Sequence, residues 1–471
     1  MRRNSWRATA LLAVILCFAL RGSAAQETAL DRYVAAPDPS YTFKLVSSQN
    51  NGDYKTFVID MTSQTWLSEK EVDKPVWKHW LTIVVPDHVK SGTALLLING
   101  GSNDRPAPEA ADPTVATAAA LTGSVVADLR GIPSEPLVFT DDGKRRTEDS
   151  IIAYTWNKFL TTGDDRWPAR LPMTKASVRA MDTVQKFCGS DSAGNVKVDT
   201  FVVAGGSKRG WTTWTTAAVD KRVIAIVPIV IDTLNLEGQD GRQLAAYGSF
   251  SPAVKDYTDI DLARWQGTPQ FHALMNIEDP YSYRDRYTIP KLLINSTGDQ
   301  YFMPDNSQFY FDALPGPKYL RYVPNTDHSL ARSDARQTLL AFYGAFLQHK
   351  EMPKFSWKFE DDRIVVSSTS KPDKVRLWQA TNPNARDFRL AVLGPKWVST
   401  DLTEEGSGAH VYTAKLEKPE KGWTASFIEL TFPNGNLPPL KLTTQVRVVP
   451  DTYPFADKLK ELAGHREAGG R

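Results

Sequence analysis

Cysteine, long apolar runs and excess charge are all scarce in this chain of 471 residues. Of its two cysteines, Cys17 lies in a predicted N-terminal leader and Cys188 is then alone, which excludes an intrachain disulfide in the mature protein. No apolar run reaches the length of a membrane-spanning helix. A formal net charge of +2 gives no indication of a nucleic-acid partner.

Motifs for metals and phosphates are also absent from the sequence. There is no H-E-x-x-H, no paired C-x-x-C, no P-loop and no G-x-G-x-x-G after the first strand. The scattered histidines have no metal-ligand spacing, so neither a metal nor a cofactor is expected. What the chain does have is 41% hydrophobic residues, enough for a large core and two or three domains.

Residues 1–25 have the pattern of a secretory signal peptide. Three arginines precede an apolar core over residues 8–20, and Ser23-Ala24-Ala25 is a small-residue cleavage site. We therefore expect the mature protein to be secreted or periplasmic. Loss of the four arginines in this segment changes the formal net charge from +2 to −2.

Residues 33–350 alternate apolar runs with amphipathic segments, which is typical of a mostly parallel sheet covered by helices. The predicted strands are 77–86, 93–98, 123–128, 200–203, 223–231, 291–294 and 318–323. The predicted helices are 148–160, 174–187 and 331–348. The polar segment before 77 has turn signals at 50–53, and no strand is predicted in it.

The segment 198–218 reads as strand, tight turn and helix around Ser207. Gly205, Ser207 and Gly210 have the G-x-S-x-x-G spacing of a nucleophile elbow, in which glycines remove Cβ atoms that would clash. Gly-Gly-Ser is also typical of an ordinary helix N-cap, and the bulky Arg209 occupies a position that is usually small. The motif alone leaves both interpretations open.

Two later strand ends supply partners for this serine. Asp299 and His328 each follow a predicted strand, so with Ser207 they have the chain order of an α/β-hydrolase triad. His328 would take the proton from Ser207, and Asp299 would orient the imidazole. Asp305, in the same loop as Asp299, and Asp232, at the end of the preceding strand, are alternative acids.

An oxyanion hole for this serine needs preorganised donors. We expect one from the backbone N–H of Lys208 and another from the loop that contains Gly100 and Gly101. Glycine in such a loop most often marks only a turn.

Periodicity is lost over 236–287, which predicts a cap insertion at the carboxyl edge of the sheet. An acidic and aromatic cap favours cationic peptides, whereas a structural cap would simply expose its acids to solvent. The residues expected to form its walls and charge are Tyr247, Tyr257, Trp265, Tyr281, Tyr283, Asp256, Asp259, Asp261 and Asp279.

Residues 351–449 change to short alternating runs, which predict an all-β sandwich of immunoglobulin or fibronectin III type. The seven runs are 355–359, 363–367, 374–380, 388–392, 411–416, 423–431 and 440–448. Residues 450–471 form a polar tail, with a helix predicted over 454–462.

Several stretches together resemble the PhoPQ-activated pathogenicity-related protein family. They are WKHWLTIVVP, LLLINGGSND, EDSIIAYTWNKFL, ARLPMTKASVRAMD, GGSKRGWTTW, LLINSTGDQYFMPD and YVPNTDHSL. The resemblance covers about residues 33–449, and Arg209 belongs to the elbow pattern of that family. It implies an α/β-hydrolase-like fold with a serine elbow, and exported proteins linked to virulence and antimicrobial-peptide resistance.

The sequence thus predicts an exported serine hydrolase, an esterase or peptidase that acts on a peptide or a small ester. A non-catalytic secreted effector or binding protein on the same scaffold is the alternative, because a fold does not establish an activity.

Overall fold

A computed structural model describes residues 27–406 and 409–462. The predicted signal peptide and the end of the polar tail therefore lie outside the described residues. Among the residues it does describe, no helix is long and apolar enough to cross a membrane. Cys188 is a buried free thiol.

The first part of the chain contributes the strands β1 Thr42–Asn50, β2 Tyr54–Thr65, β3 Val76–Pro86, β4 Thr93–Ile98, β5 Val126–Arg130, β6 Leu137–Val138, β7 Arg145–Arg146, β8 Thr200–Gly206, β9 Val223–Ile229, β10 Lys291–Ser296 and β11 Lys318–Val323. Its helices are α1 Ala29–Ala35, α2 Pro113–Thr122, α3 Asp149–Thr162, α4 Arg170–Cys188, α5 Lys208–Val219, α6 Arg242–Tyr247, α7 Lys255–Asp259, α8 Pro269–Glu278 and α9 Ala335–Leu347. Every strand and helix predicted in this region is present, with ends that differ by a few residues.

One large mixed sheet organises the molecule. Strands β5, β4, β8, β9, β10 and β11 lie side by side and run parallel, as predicted. Strands β3, β2 and β1 extend it with antiparallel pairing. The β1–β2 hairpin was missed because β1 is exposed along most of its length, so its polar sequence lacks the alternation of a half-buried strand.

Helices cover both faces of the parallel strands. Helices α3, α4, α5 and α8 bury apolar residues in a core on one face, and α2 and α9 do so on the other. Strands covered on both sides are apolar throughout, which is why β4 and β9 were easily predicted. The predicted cap, 236–287, contains α6, α7, α8 and short 3-10 turns.

The second part of the chain contributes β12 Phe355–Glu360, β13 Arg363–Ser368, β14 Lys374–Asn382, β15 Val398–Asp401, β16 His410–Lys415, β17 Trp423–Phe432, β18 Leu440–Thr443 and β19 Arg447–Val449, with the short helix α10 Leu390–Leu393. The strand predicted over 388–392 is wrong, since a helical turn occupies most of it. That turn is tied to the Asp299 loop, because the Leu390 N–H donates to the Gly298 carbonyl at 2.9 Å.

An independent C-terminal sandwich is not confirmed. Strand β18 pairs antiparallel with β11, and β17, β14 and β15 continue the large sheet beyond it. Strands β12, β13 and β16 form a three-stranded sheet whose Ile364 and Val366 share a core with α9. The alternating pattern predicted most of these strands correctly but contains no information about which sheet each strand joins.

A buried ion pair crosses the junction between the two parts of the chain. Arg321 on β11 binds Glu429 on β17 and also Asp334, at 2.9 Å. The side chains of Arg321 and Glu429 are both only 2% exposed. Each charge therefore offsets part of the desolvation free energy that the burial of the other costs.

The C-terminal segment returns to the cap. The Phe455 N–H donates to the Ala245 carbonyl at 2.9 Å. The Arg242 guanidinium stacks on the Tyr453 ring at 4.7 Å and on the Phe309 ring at 3.9 Å. Helix α6 of the cap is thus held by residues near the end of the chain.

We expect Glu429→Gln to lower the free energy of unfolding by about 3 kcal/mol, because it leaves the buried Arg321 charge only partly compensated. Denaturant unfolding measures this loss. The matched control is Glu360→Gln on an exposed strand, which should change stability by less than about 0.5 kcal/mol. Equal effects of the two substitutions would contradict a structural role for the pair.

Candidate active site

Ser207 occupies a strained turn between β8 and α5. Its backbone has φ 57° and ψ −129°, a conformation that costs a non-glycine residue free energy and persists only where surrounding contacts impose it. A Cβ at Gly205 would lie 2.7 Å from the Arg209 carbonyl oxygen, and one at Gly210 would lie 2.8 Å from the Gly205 carbonyl oxygen. The glycines are therefore required for the helix to approach the strand so closely.

Ser207 lines a cavity of about 280 Å³ beneath the cap, which we call the elbow cavity. Its wall includes six aromatic residues, which come from both the sheet side and the cap: Trp156, Trp211, Phe250, Tyr257, Tyr301 and Phe302. Lys208, Asp149 and Asp261 also line it. The elbow cavity thus combines an apolar surface with a few charged groups, as small-molecule sites commonly do.

His328 and Asp299 are in direct contact. His328 Nδ1 lies 2.8 Å from Asp299 Oδ2, and the Asp299 side chain is 2% exposed. The Tyr301 N–H donates to the other carboxylate oxygen of Asp299 at 2.8 Å. This arrangement orients the imidazole and leaves its Nε2 atom available for a proton.

The two alternative acids have other partners. Asp232 accepts hydrogen bonds from the hydroxyls of Tyr310, at 2.5 Å, and Tyr322, at 2.7 Å, and burial raises its pKa to about 7. Asp305 pairs with the buried Arg386 at 2.6 Å. Of the three acids that the sequence left open, Asp299 is the one in contact with His328.

Ser207 and His328 are not joined in this structure. Among the described residues, the Ser207 hydroxyl has no hydrogen bond to the histidine, and His328 does not line the elbow cavity. Tyr301 contacts both regions, because its ring lines the cavity and stacks on the His328 ring with centroids 4.5 Å apart. Its carbonyl also accepts a hydrogen bond from Gln243 of the cap at 2.6 Å.

Glu148 holds the two residues that follow Ser207. Its carboxylate accepts two bonds of 2.7 Å from the Arg209 guanidinium and lies 2.7 Å from Lys208 Nζ. Burial alone would raise the pKa of Glu148, but these two cations hold it at about 2. Its backbone N–H donates to Glu135 at 2.6 Å, and burial together with Glu148 raises the pKa of Glu135 to about 7.

The predicted oxyanion donors are not all brought together. The backbone of Lys208 begins α5 and lines the elbow cavity beside Ser207. Gly100 and Gly101 instead line a separate cavity, and a Cβ at Gly100 would lie 2.3 Å from the Arg209 guanidinium. The Arg209 guanidinium therefore packs directly against this loop.

The cap contributes less charge and fewer rings to the elbow cavity than predicted. Of the nine residues named from the sequence, only Tyr257 and Asp261 line it. Asp279 is buried and accepts the backbone N–H groups of Leu236 and Tyr281, while Asp259 pairs with Lys255. Asp279 thus has a structural role in the cap.

Sequence reasoning missed three residues that shape the site. Arg170 donates to the Lys208 carbonyl at 2.7 Å and pairs with Glu278 of the cap at 3.2 Å. Glu148 and Tyr301 are the other two. The unusual Arg209 was the available signal, because a bulky cation at a close turn needs a nearby acid.

Within 27–406 and 409–462, no group of three or more His, Cys, Asp or Glu residues is arranged to hold a metal.

Known proteins resemble this chain in sequence and in fold. It is 40% identical over 461 residues to autocrine proliferation repressor protein A of Dictyostelium discoideum, a match that covers 91% of this chain and 92% of that protein. Acetyl xylan esterase 1 from Thermoanaerobacterium sp. JW/SL YS485 is 16% identical with a TM-score of 0.45, covering 68% of this chain and 91% of that one. The acetyl xylan esterase from Paenibacillus sp. R4 is 15% identical with a TM-score of 0.41, covering 64% and 86%. Residues 30–389 match the sequence pattern that defines one family, and the chain therefore belongs to the PhoPQ-activated pathogenicity-related protein family.

Proposed function

We propose that this protein is a serine hydrolase in which Ser207 is the nucleophile, His328 the general base and Asp299 the residue that orients the histidine. The contact of 2.8 Å between His328 Nδ1 and Asp299 Oδ2 carries the proposal. The strained backbone of Ser207, at the end of the parallel strand β8 of the same sheet, supports it. Such strain is typical of functional sites.

The proposed reaction is acyl transfer. The Ser207 oxygen attacks the carbonyl carbon of the substrate while His328 takes the hydroxyl proton, and collapse of the tetrahedral species expels the leaving group with that proton. Water then attacks the acyl-serine, and His328 again moves the proton, releasing the acid and free Ser207. Lys208 N–H is the first proposed oxyanion donor, and a backbone N–H of the Gly100–Gly101 loop, which follows the strand paired with β8, is the proposed second.

His328 must approach Ser207 for this chemistry. Catalytic hydrogen bonds often tighten only when substrate is bound. Tyr301 is the residue whose position governs the approach, because its ring contacts the histidine and lines the elbow cavity. We therefore place Tyr301 as a positioning residue.

The aromatic wall favours an ester with an apolar group as substrate. A peptidase acting on cationic peptides is less well supported, because Asp261 is the one acid of the predicted set of four that reaches the cavity.

Export is part of the proposal and rests on residues 1–25. It requires the mature protein to begin near residue 26, which N-terminal sequencing of the exported protein would reveal.

A non-catalytic secreted effector on the same scaffold is the second candidate. It is favoured by the lack, among the described residues, of a hydrogen bond between the Ser207 hydroxyl and His328, whose side chain bonds to Asp299. The relative from Dictyostelium discoideum is named an autocrine proliferation repressor, and an extracellular signal of that kind is consistent with it.

We expect a fluorophosphonate probe to label the folded protein at Ser207, because only an activated serine reacts readily with it. Mass spectrometry of the labelled peptide identifies the site. Ser207→Ala should abolish labelling, whereas the matched control Ser63→Ala, a buried serine bonded to His79, should keep it. An unlabelled native protein would support the effector instead.

We expect Asp299→Asn to lower kcat on a p-nitrophenyl ester by about 10⁴-fold, because the amide favours the wrong imidazole tautomer. Asp232→Asn serves as the comparison, since that acid is equally buried but bonds to tyrosines. A loss of activity in Asp232→Asn without one in Asp299→Asn would refute the assigned acid. Thermal unfolding of both variants checks that they are folded.

A further inference from the structure

A second and larger cavity is lined by residues of β2, β3, β4, β5 and β8 together with helices α2 and α9. It has a volume of about 710 Å³, within the range of about 300–1,000 Å³ that small-molecule sites occupy. Gly205 and Gly206 form one wall, and the loop with Gly100 and Gly101 forms another. Apart from that loop, the proposed reaction uses none of its residues. We call it the sheet cavity.

The floor of the sheet cavity is a row of three side chains on neighbouring antiparallel strands. Asp60 on β2 is directly opposite Trp80 on β3, and Trp80 is directly opposite Arg130 on β5. Directly opposed residues place their side chains on the same face of a sheet. An indole is therefore flanked by a carboxylate on one side and a guanidinium on the other, and all three line the cavity.

A hydrogen bond restrains the Trp80 ring, but among the described residues no aromatic ring or cation stacks on it. Its Nε1–H donates to the Arg105 carbonyl at 3.0 Å, which restrains the plane of the ring. Among the described residues, no other aromatic ring and no cation stacks on it, although many of the other tryptophans have such a partner. Trp80 therefore contributes a flat, largely apolar side chain to the cavity lining, without an aromatic or cationic partner among the described residues.

The polar groups around this ring are preorganised. Asp128 is buried and binds Arg130 Nε at 2.7 Å and the Asn99 amide at 2.6 Å, which fixes both donors in place. The Asp60 carboxylate has no side-chain hydrogen bond or ion pair with any other described residue. An acceptor and several donors therefore surround the ring, and the acceptor is unoccupied by the protein.

Glycine keeps the opposite wall clear. A Cβ built at Gly206 would meet no atom within 4 Å, and one at Gly101 would meet only the Gly131 nitrogen at 4.0 Å. Side chains at these positions would fill the cavity. Their absence leaves room for a ligand beside the backbone.

We infer that the sheet cavity binds a sugar ring. The apolar C–H face of a sugar packs on a flat indole, and its hydroxyls, which both donate and accept, match the mixed set around Trp80. A purely apolar ligand would leave the carboxylate of Asp60 without hydrogen bonds. The cavity offers a highly charged ligand little net electrostatic attraction. Its four cationic residues are nearly balanced by three acids: Lys78, Arg105, Arg130 and Arg336 against Asp60, Asp112 and Asp128.

The test measures binding to an array of neutral, uronic-acid-containing and sulfated oligosaccharides. It uses the full-length mature chain with Ser207→Ala, so that no bound glycan is hydrolysed and the result does not depend on the proposed catalysis. We expect binding to neutral glycans. Adding Trp80→Ala should weaken the affinity for the best glycan at least tenfold, and adding the isosteric Asp60→Asn should weaken it severalfold.

The matched control is Trp423→Ala, a half-buried tryptophan on β17 whose Nε1–H also donates to a backbone carbonyl, at 3.0 Å. It should bind glycans as the parent does. Absence of glycan binding, binding to anionic glycans alone, or equal losses in the two tryptophan variants would overturn the proposal. The Asp60→Asn protein preserves the floor of the cavity, so its result remains informative if Trp80→Ala is unstable.

Discussion

The carboxylate of Glu148 is the contact on which the elbow depends. It binds Lys208 and Arg209 together, and these are the first two residues of the helix that follows Ser207. The positive φ of Ser207 needs such external support, since its local sequence does not stabilise it. The Gly100 loop packs on the same guanidinium, so this one acid also supports a loop that lines the sheet cavity.

The central sheet could be predicted from sequence because its signals are local. Strands buried on both faces are continuously apolar, and the loops at their ends carry glycine and aspartate. The same reasoning placed Asp299 and His328 on adjacent strand ends, where the structure brings them into contact. It could not separate Asp299 from Asp232 or Asp305, because that choice depends on Tyr310, Tyr322 and Arg386, which are distant in sequence.

Relations between segments were beyond what the sequence could predict. The strands of the C-terminal part alternate like those of a free sandwich, yet β18 joins the edge of β11. The buried contact of Arg321 on β11 with Glu429 on β17 accompanies this pairing, and its residues are more than one hundred positions apart. Tyr301 was missed for the same reason, since its partners come from the cap and the histidine loop.

The anchoring of the cap by the end of the chain has a consequence for biosynthesis. A backbone carbonyl of helix α6 accepts a hydrogen bond from the Phe455 N–H, and Arg242 of the same helix stacks on Tyr453. Arg242 also lines the elbow cavity. These contacts form only after nearly the whole chain has been made. A nascent or C-terminally clipped chain therefore lacks these contacts to the cap helix beside Ser207, and the cap is fully supported only in the finished molecule.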